Sequence, residues 1–242
     1  MRRVAVEHSV NSPRSLQRPL GPSELGTECD RQVVGKMAGV RRENEVVDPW
    51  PSIVGVAVHR WLADAFTTDN LRTGVLRWVA EQRVSPYPGY EYDGTADLYD
   101  AQEFAVVDHK CLSDDSLDKI RSATGPPRRY FVQLLLYGLG YRHLGLPVRR
   151  VALVIWPRTK STLDRLYVWD HEWTDADDAL LQLVFEQTRQ RALVAQLVAT
   201  GAVDLMHVTA HPDDDECYFC PFYRPQSATD SGPGCPGTVQ HR

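Results

Sequence analysis

Apolar and polar positions follow two different periods along this chain, and the changes of period separate strands from helices. Short strand-length runs rich in apolar, β-branched and aromatic residues mark strands at Trp78–Val84, in the hairpin Tyr90–Cys111, at Val148–Trp156 and at Leu163–Trp169. Helical spacing marks a segment capped by Ser23 that runs through Cys29 and Arg31 towards Met37. A second helix starts at Pro51-Ser52 with Val54, Val58, Trp61 and Ala65 as its apolar stripe. A third covers Arg128–Leu144, and a long one runs from the Thr174 cap to Gly201, with Asp175, Asp177 and Asp178 favouring its dipole. Residues 1–20, rich in Arg, Ser and Pro without period, read as an irregular arm. Asp114, Asp115, Asp118, Lys119 and Arg121 read as a polar connection or flap ending at Gly125-Pro-Pro127. Strands interleaved with helices give an α/β class.

The hairpin is where this pattern carries chemistry. With Ala101-Gln102 as a two-residue turn, Asp97 falls opposite Val106, and Asp97, Val106, Asp108 and Lys110 share one face. A three-residue turn would separate Asp97 from Asp108. Phe104–Val107 is apolar, as in a central strand, where end-of-strand charges are costly unless paired or liganded. Two neighbouring carboxylates suit a hard divalent cation such as Mg²⁺ or Mn²⁺, and a lysine beside them can hold a nucleophilic water or offset phosphate charge. The bland alternative is a hairpin with solvated charges. Glu81 reads as a strand-edge charge rather than a third carboxylate, and the turn Pro157–Ser161 as a basic loop facing water or a nucleic-acid backbone.

Composition narrows the setting. The 242 residues are 43% hydrophobic and 24% charged, enough for one globular domain with an appended subdomain. No apolar run approaches the roughly 18 residues of a membrane span, and Met1-Arg-Arg lacks a signal peptide's apolar core, so a cytoplasmic protein without membrane contact is expected. A net charge of -5 excludes a uniformly basic coat but leaves room for a local basic lining against DNA.

Five cysteines without an export signal argue against a disulfide framework. Cys217-Tyr-Phe-Cys220 has a spacing that lets two thiolates share one metal, and Cys235 lies in a Gly-Pro-Gly-Cys-Pro-Gly turn. With Cys29 they make four, and the spacing leaves zinc and iron both open. Cys111, next to Lys110, reads as a free buried thiol.

Together, Gly94-x-x-Asp97, then Asp108-x-Lys110, then Gln133-x-x-x-Tyr137 resembles the PD-(D/E)XK nuclease superfamily, in its RecB-like branch. Gly55-x-x-x-His59, Ser23-x-Leu-x-x-x-Cys29-x-Arg31 and the other cysteines look like the iron-sulfur exonucleases related to the CRISPR-associated RecB-like nucleases, phage members included. The resemblance spans roughly residues 21 to 237 and implies a restriction-endonuclease-like core with a mixed central sheet over residues 51–201. It also implies a [4Fe-4S] subdomain from residues 21–50 and 202–242, with Zn²⁺ as the alternative at the four cysteines. A departure is the 14-residue gap between Cys220 and Cys235, wider than the family usually shows. On this resemblance the chain is a Mg²⁺- or Mn²⁺-dependent DNA exonuclease acting on ends or single strands, in DNA recombination or repair. His59, Asp97, Asp108 and the His109 carbonyl would hold the metal. Lys110 would be catalytic with Asp97 and Asp108, and Gln133 and Tyr137 would orient substrate or the lysine. Arg31, Arg128, Arg129, Gln133 and Tyr137 would meet DNA, with a second copy or a recombination or CRISPR-adaptation protein as partner. The rival is an idle DNA-binding or assembly subunit of the same fold.

Overall fold

A computed structural model describes residues 1–11, 20–44, 49–89, 92–123, 125–159, 162–230 and 233–237. They form two compact units. One comprises Gly21–Gly26 and Trp50–Gln182; the other comprises Met1–Leu20, Thr27–Pro49 and Leu183–Arg242.

The first unit holds a five-stranded mixed sheet in sequence order: β1 (Trp78–Val84), β2 (Gly94–Asp100), β3 (Ala105–Leu112), β4 (Arg150–Pro157) and β5 (Tyr167–Glu172). Only β3 and β4 run parallel, because a helical crossover separates them in sequence. Between β2 and β3, Asp100 pairs with Ala105, so the turn is the four residues Ala101–Phe104 and not Ala101-Gln102. The cause is the buried Asp100 carboxylate. It accepts from Gln102 N at 3.0 Å and Glu103 N at 3.3 Å while Arg77 clamps it at 2.6 and 3.0 Å, and Phe104 closes the turn at φ 52°. A shift of two residues preserves parity, so Asp97 moves from opposite Val106 to opposite Asp108 and the shared face survives.

Helices α1 (Arg2–Val10), α2 (Pro22–Leu25), α3 (Asp30–Met37), α4 (Trp50–Thr73), α5 (Asp114–Ser122), α6 (Arg128–His143) and α7 (Asp175–Ala199) follow in chain order. Several expectations change. Part of the supposed irregular arm is α1, and residues 12–19 lie outside the described residues. The single helix expected from Ser23 to Met37 is broken at Gly26, where a Cβ would sit 2.8 Å from Arg129 Cα of α6; Cys29 becomes the extended N-cap of α3. The polar flap is α5, whose Leu117 and Ile120 are buried. In α4 the buried residue is Leu62, while Trp61 is 65% exposed. A Cβ on Gly55 would meet nothing within 4 Å, so this glycine serves no close approach to the sheet. Leu163–Leu166 is a turn, and β5 begins at Tyr167. Of the basic loop after β4, Lys160 and Ser161 lie outside the described residues, as do Tyr90 and Glu91 ahead of β2.

Helix α6 lies against the sheet at glycine contacts: a Cβ on Gly138 would meet Trp173 at 2.5 Å, and one on Gly140 would meet Val84 at 2.7 Å. This contact buries Leu134, Leu135, Leu136 and Tyr141 together with Leu98, Tyr99, Val106 and Leu153.

Candidate active site and four-cysteine site

Midway along β2, where its ladder with β3 stops, side chains replace the backbone pairing. Beyond the Leu98–Val107 pair, the Asp97 carboxylate takes the next amide, accepting from His109 N at 2.7 Å. Its other oxygen lies 3.2 Å from His59 Nδ1 of α4, and the side chain is 11% exposed. Burial pulls the His59 imidazole down, but the hydrogen bond and charge of Asp97 outweigh it and leave the ring raised. Asp97 is correspondingly held low despite its own burial. Glu81 completes this group. It faces Asp97 across β1, in a gap of the ladder between the Ala80–Leu98 and Gln82–Ala96 pairs, with φ 52°. A non-glycine residue in that conformation inside a strand costs on the order of 1–3 kcal/mol and turns its side chain off the regular alternation. One ligand atom each from His59, Glu81 and Asp97 falls within 4.8 Å of the others. Glu81 thus stands with His59 and Asp97 rather than apart at the strand edge, and residue type alone does not mark it, because β1 also carries Gln82 and Arg83.

Opposite Asp97, Asp108 is 1% exposed and forms an ion pair with Lys110, yet neither of its oxygens accepts a well-formed hydrogen bond. Burial pushes its carboxyl up to about 6 against the pull of Lys110, and Asp97 adds to the rise. Lys110 Nζ donates to Gln133 Oε1 at 3.1 Å, and Gln133 Nε2 donates to Tyr137 Oη at 3.1 Å. Gln133 and Tyr137 are 6% and 5% exposed, so this part of the expected groove-lining stripe on α6 forms a buried brace behind Lys110. Tyr137 packs where Gly94 begins β2. A Cβ on Gly94 would lie 2.9 Å from the Tyr137 ring and 2.7 Å from Pro22. Gly94→Ala is expected to cost about 1–3 kcal/mol in urea unfolding, whereas Gly55→Ala in open space gains up to about 1 kcal/mol. Tyr130, which the sequence did not single out, stands beside the lysine: Lys110 Nζ is 5.1 Å and the Arg129 guanidinium 4.9 Å from its ring centre.

His109 contributes its backbone N–H to Asp97. Its ring accepts from Trp156 Nε1 at 3.3 Å and stacks on Phe66, and burial drives its pKa down to about 4. Arg128 donates to the Gly26 carbonyl at 3.0 Å, which ties α6 to α2.

In the second unit Cys29, Cys217, Cys220 and Cys235 line one cavity of about 20 Å³. The long gap before Cys235 does not carry it away. Cys235 N donates to Phe222 O at 2.7 Å and Arg224 N to Cys235 O at 2.8 Å, laying Cys235 beside Tyr223. Burial pushes the Cys220 thiol up to about 11, and the other three cysteines add to the rise. Cys111 lies apart in β3. Arg31, expected at DNA, is instead turned inward within this unit: Nε donates to Val208 O at 3.0 Å, Nη2 to Met206 O at 2.8 Å and Nη1 to Cys235 Sγ at 3.0 Å.

Both donor sets fit the groups they suggest. One imidazole with two carboxylates, next to a buried carboxylate whose oxygens lack hydrogen bonds, fits a hard divalent ion. Four thiols lining one largely apolar cavity match a tetrathiolate centre by donor type, although among the described residues no three of their sulfurs gather within 4.8 Å as the His59, Glu81 and Asp97 ligand atoms do.

No family model and no curated protein matches the chain. Among solved structures it is similar to an alkaline exonuclease (LHK-Exo) from Laribacter hongkongensis, at 10% identity and TM-score 0.51, over 76% of this chain and 90% of that one. It is also similar to the protein SSO0001, at 17% identity and TM-score 0.50, over 98% of this chain and 95% of that one. The chain thus has the exonuclease-like mixed α/β fold. No described helix is long and apolar enough to cross a membrane.

Proposed function

We propose that the chain is a metal-dependent nuclease that hydrolyses DNA phosphodiesters exonucleolytically, at ends or in single strands, and that it belongs to the RecB-like iron-sulfur branch of the PD-(D/E)XK enzymes. The observation that carries this is the meeting of His59, Glu81 and Asp97 with the buried Asp108–Lys110 pair where the β2–β3 ladder stops. His59, Glu81, Asp97 and Asp108 would hold Mg²⁺ or Mn²⁺, with the His109 carbonyl adjoining. Such an ion supplies Lewis-acid polarisation of a phosphoryl oxygen and an acidified water. Lys110, fixed by Gln133 and the Tyr137 hydroxyl behind it, orients the attacking water and offsets charge growing on the phosphate. Burial of the brace keeps that ammonium from wandering, so less order has to be created when substrate arrives. Tyr130 and Arg129, which adjoin Lys110 and each other, would offer a ring face and a phosphate contact to a bound strand.

The four cysteines would hold a [4Fe-4S] cluster with a structural role, since the ligands come from segments distant in sequence. The test is degradation of end-labelled linear DNA by full-length protein with Mn²⁺, Mg²⁺ or EDTA. Shortening from the ends with metal and none with EDTA is expected; DNA that is bound and left intact in every condition would make the protein a non-cutting DNA-binding subunit. Iron and acid-labile sulfide in anaerobically purified protein test the cluster, and stoichiometric zinc without sulfide would replace it.

A further inference from the structure

Arg31 is a half-buried cation with structural partners on all three guanidinium nitrogens. Its three guanidinium nitrogens go to two carbonyls and one sulfur, and none of these bonds is to a carboxylate. The acid next to it, Asp30, is taken by Arg191, which lies 2.7 Å away and also donates to the Glu28 carbonyl at 3.1 Å. The Val208 and Met206 carbonyls fix the plane of the Arg31 fork, and that plane aims the remaining N–H at Cys235 Sγ. We propose that Arg31 is a positioning residue for the four-cysteine centre, holding Cys235 in place through a charge-assisted N–H···S bond and placing a positive charge beside the metal-bound sulfurs. The proposal rests on the assignment of the four cysteines as ligands and goes beyond it. It adds a hold on the Cys235 sulfur to the Phe222 and Arg224 backbone bonds that already fix the main chain of that residue. Lysine cannot substitute, because one ammonium on a flexible stem cannot satisfy two carbonyls and a sulfur in a common plane.

Such outer contacts typically govern metal retention by roughly 10–100-fold, and a cation with an N–H donor at a cluster sulfur favours the more negatively charged, reduced cluster. The experiment compares wild type, Arg31→Gln and Arg31→Lys, all full length and reconstituted anaerobically. It reads metal per chain, the rate of metal loss to a chelator, the midpoint potential and the thermal melt. In the potential measurement dithionite gives one electron to the cluster and no bond is made or broken. Folded Arg31→Gln is expected to release metal roughly 10–100-fold faster and to show a more negative potential, with Arg31→Lys closer to wild type in potential but still faster in release. Wild-type release and potential in folded Arg31→Gln overturn the proposal. Should Arg31→Gln fail to fold, Arg31→Lys is judged by release rate alone, faster supporting the proposal and equal overturning it. A wild-type protein that takes zinc defeats the cluster assignment but not Arg31, whose role the chelation rate still decides. A wild type that binds neither metal defeats both.

Discussion

Lys110→Ala is expected to lower DNA cleavage by roughly 10²–10³-fold, the scale for losing one fixed group aimed at transition-state charge. The ammonium is anchored on two sides, by Asp108 and by Gln133 Oε1, and among the described residues no other cation is paired with Asp108. A water entering the space would bring a dipole but no fixed charge. The same substitution leaves Asp108 as a buried carboxylate without its counter-ion, a condition that costs about 3–5 kcal/mol. Metal-free Lys110→Ala should therefore melt lower than wild type, and Mn²⁺ should restore most of the difference while leaving activity lost. Single-turnover cleavage and melting curves with and without Mn²⁺ read the two effects separately. Cleavage at the wild-type rate by the variant would remove the lysine from the mechanism.

Asp108→Asn should act in opposite directions on activity and on metal-free stability. Its carboxyl is raised to about 6 in the folded chain, mainly by burial, from a usual value near 4. A folded-state pKa above the unfolded one means that the native state prefers the protonated group. The penalty is absent below about pH 4, grows between about 4 and 6 and is complete above. Metal-free wild type should lose stability from this group as pH rises through that window, and the asparagine variant should not. At pH 7 the variant is expected to be more stable by on the order of 1–3 kcal/mol, provided metal is chelated. Added Mn²⁺ should stabilise wild type and leave the variant nearly unmoved, with cleavage abolished. Urea titrations at pH 4.5 and 7.5, each with EDTA and with Mn²⁺, check this. A pH-independent difference between the two proteins would show that Asp108 is not strained by burial. A residue that lowers stability in the empty site and is needed for the reaction is what a functional group, rather than a structural one, is expected to show.

Part of the site was readable before any coordinates. Parity is conserved under a two-residue slip, so an incorrect turn at Ala101-Gln102 still put Asp97 and Asp108 on one face. The Asp100 carboxylate that lengthens the turn acts through Arg77, 23 residues away, a contact no local pattern reveals. Glu81 was passed over because a positive φ inside a strand has no signature in residue type. Trp61 was assigned to the core of α4 on size and spacing, but only the sheet decides which side of a helix is covered, and it covers Leu62.

What the sequence determined by itself was local and periodic: the strands and main helices of the core, the common face of the two aspartates and the lysine, and the Cys217-x-x-Cys220 spacing. These follow from repeats of 2.0 and 3.6 residues and from side-chain chemistry, which need no partner to be defined. What only the tertiary structure decided was which groups meet and which are covered. The inward turn of Arg31, the burial of Gln133 and Tyr137, the return of Cys235 to Phe222 and the place of Glu81 all come from contacts between segments far apart in sequence. Such contacts depend on packing and loop closure, whose energies are collective properties of the folded chain rather than of any stretch of it.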